Sequence, residues 1–238
     1  MNKKEYSSMS HNLAMITARG GSKRIPRKNI KEFCGKPILA YSIEAARSSG
    51  AFDEVMVSTD DPEIAGIAVK YGASVPFFRS EATANDYAST DDVIMEVLKT
   101  YEEHGEHFDN FCCIYPTAPF VTGERLKQAM ELLADSDSVM PVVPFSYPPQ
   151  RGLLISEEGF LKRQFPEYAL ARSQDLQKIY HDCGQFYACR TDVFLKEGTT
   201  DVKGQVPLVL TEMEVQDIDT LEDWEIAEIK YRRLHSES

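Results

Sequence analysis

The chain has 238 residues, 42% hydrophobic and 10% aromatic, and a formal net charge of -12. This composition suffices for one domain with an elaboration and excludes a wholly disordered chain. The acidic balance excludes non-specific nucleic-acid binding, which requires broad basic surfaces, so any anionic ligand has to be met by a local cluster of cations.

In chain order, residues 1–12, MNKKEYSSMSHN, lack the apolar core of a signal peptide and are expected to be a mobile arm or leftover vector sequence. A single domain is expected over 13–238, and no apolar run is long enough to span a bilayer. LAMITA, Leu13 to Ala18, leads into the pair Gly20 and Gly21 and predicts a buried strand entering a tight loop. From Pro37 the apolar spacing turns helical, with Ile38, Tyr41, Ala45 and Ala46 on one face and a stop at Gly50. Glu54–Thr59 reads as a strand. Asp61 before Pro62 reads as a helix cap with proline at the first helical position, and that helix should run to Gly72.

A strand is expected near SVPFF (74–78), a helix from Ser89 or Thr90, a strand in FCCIY (111–115), a helix from about Glu124 to Asp135, and a strand at SVMPVV (138–143). This alternation predicts an α/β fold in three layers: a mostly parallel sheet with helices on both faces, and ligands outside the carboxyl ends of the strands. The rhythm breaks over about 144–182, where Pro144, Pro148, Pro149 and two short alternating stretches suggest a small insertion. QFYACR (185–190) and PLVLTE (207–212) resume the sheet pattern, and LEDWEIAEIKYRRL (221–234) is an amphipathic helix. The five cysteines, Cys34, Cys112, Cys113, Cys183 and Cys189, have neither disulfide-framework nor zinc-site spacing and read as reduced thiols in a cytoplasm. Cys112 and Cys113 are expected to fill a buried strand.

The chemistry concentrates in Thr17–Leu39. Arg19, Lys23, Arg24, Arg27, Lys28 and Lys31 precede the first acid, Glu32, in an otherwise acidic chain. Gly20 and Gly21 allow backbone N–H groups to approach a phosphate. Neither GxxxxGK[ST] nor GxGxxG is present, so charge alone leaves both a solvated loop and a polyphosphate cradle open.

The stretch ARGGSKRIPRKNIKEFCGKPIL, followed in order by VSTDDPEIA, FRSEATANDYASTDDVI, YPTAPF, RSQDLQKIYHDCGQFY and DIDTLEDW, resembles the cytidylyltransferases that activate nine-carbon sialic-acid-type sugars. The resemblance extends from Leu13 to the last helix. It implies a Rossmann-like nucleotidyltransferase fold in which CTP and a 2-keto nonulosonic acid give a CMP-sugar and pyrophosphate. Two departures from the N-acetylneuraminate enzymes, Tyr115 where those carry glutamine and YHDCGQFY in place of their NGAIY-like segment, point to the pseudaminic acid branch and to surface or flagellar glycosylation. N-acetylneuraminate and legionaminate remain alternatives, and the Kdo enzymes fit least well.

By the same resemblance, Arg19, Gly20, Lys23 and Lys28 are expected at the triphosphate, Arg19 or Lys28 at the leaving pyrophosphate, and Asn29, Arg79, Ser89 and Thr90 around the nucleotide. A Ser or Thr just before a helix is more often a plain cap than a ligand contact, and a cap can do both jobs, so both readings stand for Ser89 and Thr90. Asp217 and Asp219, two residues apart in an extended segment, point to one side, as a divalent ion on phosphates requires; Mg²⁺ is expected. Asp219 is also a candidate to take the sugar hydroxyl's proton, and alternatively to cap the helix that follows. The sugar carboxylate is assigned to Arg172, with Arg151 as a weaker candidate, and Tyr115, Gln174, Tyr180, His181, Asp182 and Gln185 are expected to line the sugar pocket. Phe145 and Tyr147 suggest a subunit contact, and a homodimer is expected. Two rival classes are a binding protein without catalysis and, from DxDT, an aspartyl-phosphate phosphatase. The second is disfavoured because its motif belongs near the chain start.

Overall fold

The computed structural model describes residues 10–236. Strand β1 (Asn12–Thr17) leads into the basic loop, which holds one 3-10 turn and a ribbon of β2 (Glu32–Phe33) and β3 (Lys36–Pro37) before α1 (Ile38–Ser49). There follow β4 (Glu54–Ser58), α2 (Pro62–Tyr71), α3 (Glu81–Ala84), α4 (Thr90–Glu103), β5 (Asn110–Ile114), α5 (Gly123–Leu133) and β6 (Ser138–Pro144). The remaining elements are the hairpin β7 (Leu153–Ile155) and β8 (Leu161–Arg163), then β9 (Tyr180–Asp182), β10 (Phe186–Arg190), α6 (Thr191–Glu197), β11 (Gln205–Val209) and α7 (Leu221–His235).

Local chemistry explains the helix ends. The Asp61 carboxylate accepts from the N–H groups of Glu63 and Ile64 at 2.8 and 3.2 Å, and Pro62 spends no donor at the first helical position. Gly72 closes the same helix at φ 93°, where a side chain would also collide with the Arg47 guanidinium.

The main sheet has seven strands in the order β11-β6-β10-β5-β1-β4, with β9 also paired to β6. β4, β1 and β5 run parallel, as do β6 and β11, whereas β10 lies antiparallel between β5 and β6. Alternation sends Leu13, Met15 and Cys113 into a cluster with Val93, Ile94 and Val97 of α4. Ala14, Ile16 and Cys112 go to the opposite face, against α1, α2 and α5. The expected three-layer α/β architecture is therefore present. All five thiols are free, and burial pushes that of Cys113 up to about 12. Among the described residues, no helix is long and apolar enough to cross a membrane.

A third cluster positions the site. Ile25 and Phe33 of the basic segment, Ile38 and Tyr41 of α1, Phe120, and Ile218, Trp224 and Ala227 at the C-terminal end pack together. Phe33 is at its centre, edge-on to Tyr41, Trp224 and Tyr231 with ring centroids 5.5 Å away in each case. This packing fastens the basic loop to α7 and to the residues just before it.

Several expectations are corrected. SVPFF is not a strand: only Ser74 bridges to Met56, Pro76 has no N–H for a ladder, and Phe78 is exposed. Residues 1–9 of the expected arm lie outside the described residues, but His11 and Asn12 belong to the domain. The Asn12 N–H donates to the Asp53 carboxylate at 2.7 Å and that of His11 to Asp109 at 2.9 Å. In the expected insertion, Tyr180–Asp182 pairs with β6 and so rejoins the main sheet.

Candidate active site

Beyond the carboxyl ends of β1, β4 and β5 opens a cleft of about 360 Å³. Of the residues singled out from the sequence, it brings together Arg19, Lys23, Lys28, Asn29, Arg79, Ser89, Thr90, Tyr115 and Asp219. The buried Asn29 ties the loop closed, its Nδ2 donating to the Arg19 carbonyl at 2.8 Å. Arg79 forms the floor: Nε donates to Ser58 Oγ at 3.1 Å and Nη2 to the Ser58 carbonyl at 2.8 Å, which anchors the guanidinium at the end of β4.

Two carboxylates organise the cations. Asp219 meets Arg24 at 2.7 Å and Lys28 at 3.9 Å. Burial pulls the Lys28 ammonium below its ordinary value, while Asp219 and then Asp217 act in the opposite sense. Asp86 meets Arg19 at 2.7 Å and also holds Lys23. Arg27, at φ 54°, turns toward Asp61 and Glu63 at the start of α2 and anchors the loop from outside the cleft.

On the opposite wall, Ser89 is an N-cap in a capping box with Asp92, so the capping reading holds for a residue that also lines the cleft. Thr90 Oγ1 and Tyr115 Oη are 3.1 Å apart. Tyr115 stands edge-on to Tyr187 at 5.7 Å, and Tyr187 Oη donates to Asp182 Oδ2 at 2.5 Å. Burial, chiefly, raises the pKa of the Tyr115 phenol.

Other assignments change. The Gly20 N–H is taken by Asp60 at 2.9 Å, and a Cβ there would lie 2.7 Å from the Asp61 carboxylate; this glycine permits close packing on Asp61 and offers no free donor to a phosphate. Gln185 is buried and donates to the Glu214 carbonyl at 2.6 Å, which makes it a structural tie. Arg151, Arg172, Gln174 and His181 are exposed and do not line the cleft. Arg151 donates to Ser173 at 3.0 Å, Arg172 pairs with Asp175 at 2.7 Å, and His181 packs its ring 4.6 Å from Phe145. Asp219 is not the cap of α7: Thr220 is, with Asp223 completing the box. Asp217 is exposed and outside the cleft lining.

Three contributors were missed. Arg24 carried a signal in the basic run. Asp86 and Tyr187 lay within quoted motifs, but only the fold sets them against Arg19 and Tyr115. Among the described residues, no group of three or more His, Cys, Asp or Glu side chains is placed to hold a metal by itself. Of Asp217 and Asp219 only Asp219 lines the cleft; a single carboxylate there suits a hard cation such as Mg²⁺, which takes one or two carboxylates and completes its shell with phosphate oxygens and water.

A family model described as "Cytidylyltransferase" matches residues 13–202. The pseudaminic acid cytidylyltransferase of Campylobacter jejuni is 42% identical over 226 residues, covering 94% of this chain and 97% of that protein. The CMP-N,N'-diacetyllegionaminic acid synthase of Legionella pneumophila is 35% identical, with 95% and 98% covered. Among solved structures, a CMP:2-keto-3-deoxy-manno-octonic acid synthetase complexed with CTP aligns with a TM-score of 0.70 at 18% identity, over 94% of this chain and all of that one, which is a likeness of fold. With the model spanning most of the sequence, this chain belongs to the cytidylyltransferase family.

Proposed function

We propose that this protein transfers CMP from CTP to the anomeric hydroxyl of pseudaminic acid and releases pyrophosphate. The observation that carries the reading is the 42% identity to a pseudaminic acid cytidylyltransferase over nearly the whole of both chains. The cation-lined cleft supports it.

In this reading, the hydroxyl oxygen attacks the α-phosphorus, the bond from that phosphorus to the β-bridging oxygen breaks, and pyrophosphate carries away the electron pair. Such an in-line displacement depends on positioning and charge neutralisation. Arg19, Lys23 and Lys28, joined by Arg24, take the triphosphate, and Arg19 or Lys28 stabilises charge on the departing group. Arg79, Ser89 and Thr90 surround the nucleoside, while Asn29 holds the loop shape. Asp219 accepts or orients the hydroxyl proton. A divalent cation such as Mg²⁺ would be held by Asp219 and would supply further neutralisation of the phosphates.

Tyr115, backed by Tyr187 and Asp182, forms the sugar side in this reading; Arg172, which pairs with Asp175 outside the cleft lining, is assigned the sugar carboxylate on the family resemblance alone. Segment 144–182 exposes Tyr147, Leu154, Ile155, Phe160, Leu161 and Leu170. An apolar surface of this kind marks an interaction site, and a second copy of the chain is its proposed occupant. Sedimentation should then give the mass of two chains. The free thiols fit a reducing cytoplasm.

The test is pyrophosphate release from CTP with Mg²⁺ and, separately, pseudaminic, legionaminic and N-acetylneuraminic acids and Kdo, with no-sugar and no-metal controls. Release with pseudaminic acid alone is expected. Release only with another sugar would retain the reaction and refute the assigned substrate, and CTP binding without release from any sugar would favour a binding protein.

A further inference from the structure

Asp86 lies where the proposed triphosphate needs its cations free. Its Oδ1 is 2.7 Å from Arg19 Nη1, its Oδ2 holds the Lys23 ammonium, and the neighbouring Asn85 carbonyl accepts from Arg19 at 3.2 Å. The polar residues around it have structural duties. Asp92 closes the capping box of α4, and the Asn85 side chain accepts from the N–H groups of Tyr87 and Ala88 at 2.8 and 3.1 Å. Among the described residues, Arg19 and Lys23 are the only side-chain partners of Asp86. It caps no helix, fills no core and stands exposed at the edge of the cleft it helps line. Hydrogen bonding from Lys23, and then from Arg19, holds its carboxyl below the ordinary carboxylate range, so it is charged at neutral pH.

We propose that Asp86 is a built-in counterion of the phosphate-binding cations: it gathers Arg19 and Lys23 at one point of the cleft mouth, competes with the triphosphate for them, and reclaims them as pyrophosphate departs. The inference rests on the reading of Arg19 and Lys23 as triphosphate ligands. Its physical basis is the charge balance. One carboxylate against two cations leaves a net positive mouth that still attracts a polyphosphate. The same carboxylate repels a polyanion seated beside it, which weakens binding of CTP and of pyrophosphate alike. Since pyrophosphate keeps the charge that engages these cations, a competing anion favours its release.

Asp86→Asn keeps the size and removes the charge. The KM for CTP and the inhibition constant for pyrophosphate should each fall by about two- to fivefold, the scale of exposed ion pairs. The difference should shrink as salt rises. The KM for the sugar should be unchanged, and Asp86→Glu, which retains the charge, should behave as wild type. A rise in the KM for CTP in Asp86→Asn would make the carboxylate a support for binding, and no change would make it a solvated surface pair; either overturns the proposal, as does Asp86→Glu behaving like Asp86→Asn. Calorimetric titration of each protein with CTP separates the two levels of inference. If wild type binds CTP and Asp86→Asn binds it no more tightly, only the counterion role fails; if wild type binds none, the cytidylyltransferase reading fails with it.

Discussion

Phe33→Ala tests the idea that the C-terminal helix holds the phosphate-binding loop in shape. Phe33 is fully buried, and its ring is edge-on to Tyr41, Trp224 and Tyr231. Truncating a buried phenylalanine costs about 3–5 kcal/mol. The upper half of that range is expected here, because three aromatic contacts, each contributing about 0.5–1.5 kcal/mol beyond area burial, are lost together. The chain has one tryptophan, Trp224, and it lies in this cluster, so its fluorescence follows urea unfolding directly. The unfolding midpoint should drop by on the order of 1–2 M urea. Below the new transition the KM for CTP should rise, since Lys28 and Asp219 are brought together across this cluster. A loss under about 1 kcal/mol, or an unchanged KM for CTP alongside a large loss of stability, would refute the coupling of α7 to the loop. Phe33→Leu, which retains much of the volume, should fall between wild type and Phe33→Ala on both readouts.

Asp219→Ala should fold normally, because Thr220 and Asp223 supply the cap of α7, and should lose at least about 100-fold in turnover; a folded variant with wild-type rates in the pyrophosphate assay would remove Asp219 from the chemistry. Arg172→Ala should raise the KM for the sugar and leave that for CTP alone, and steady-state kinetics with each substrate varied would expose the reverse. Hydrogen bonding to Arg27 depresses the Asp61 pKa below its ordinary 3.8. The folded state therefore binds fewer protons there than the unfolded state, and this stability is present above pH 3.8 and lost as pH falls through the depressed value. Asp61→Asn should cost up to about 1 kcal/mol at neutral pH; in urea titrations at stepped pH the gap to wild type should close in acid, and a gap that stayed constant would contradict the charge-based account.

The sheet, its helices and the basic loop were legible because they depend on short-range physics. The apolar run LAMITA, the Asp61–Pro62 cap and the stops at Gly50 and Gly72 each involve a few consecutive residues, and the structure reproduces them. SVPFF misled because strand-like composition does not supply the N–H that Pro76 lacks or a partner beyond Met56. The cations of the cleft were legible as a run of charge in an acidic chain. Their carboxylate partners were not.

The sequence by itself thus determined the α/β layering, the family signature and the location of the phosphate-binding charge, all written in local periodicity and contiguous motifs. Only the tertiary structure decided that β10 runs antiparallel, that Gly20 packs on Asp61, that Gln185 is a tie, and that Asp219 meets Arg24 and Lys28 while Asp86 meets Arg19 and Lys23. The reason is distance along the chain. Lys28 and Asp219 are separated by most of the sequence, so no periodicity relates them, and the packing of Ile25, Phe33, Ile218 and Trp224 brings them within reach of one another.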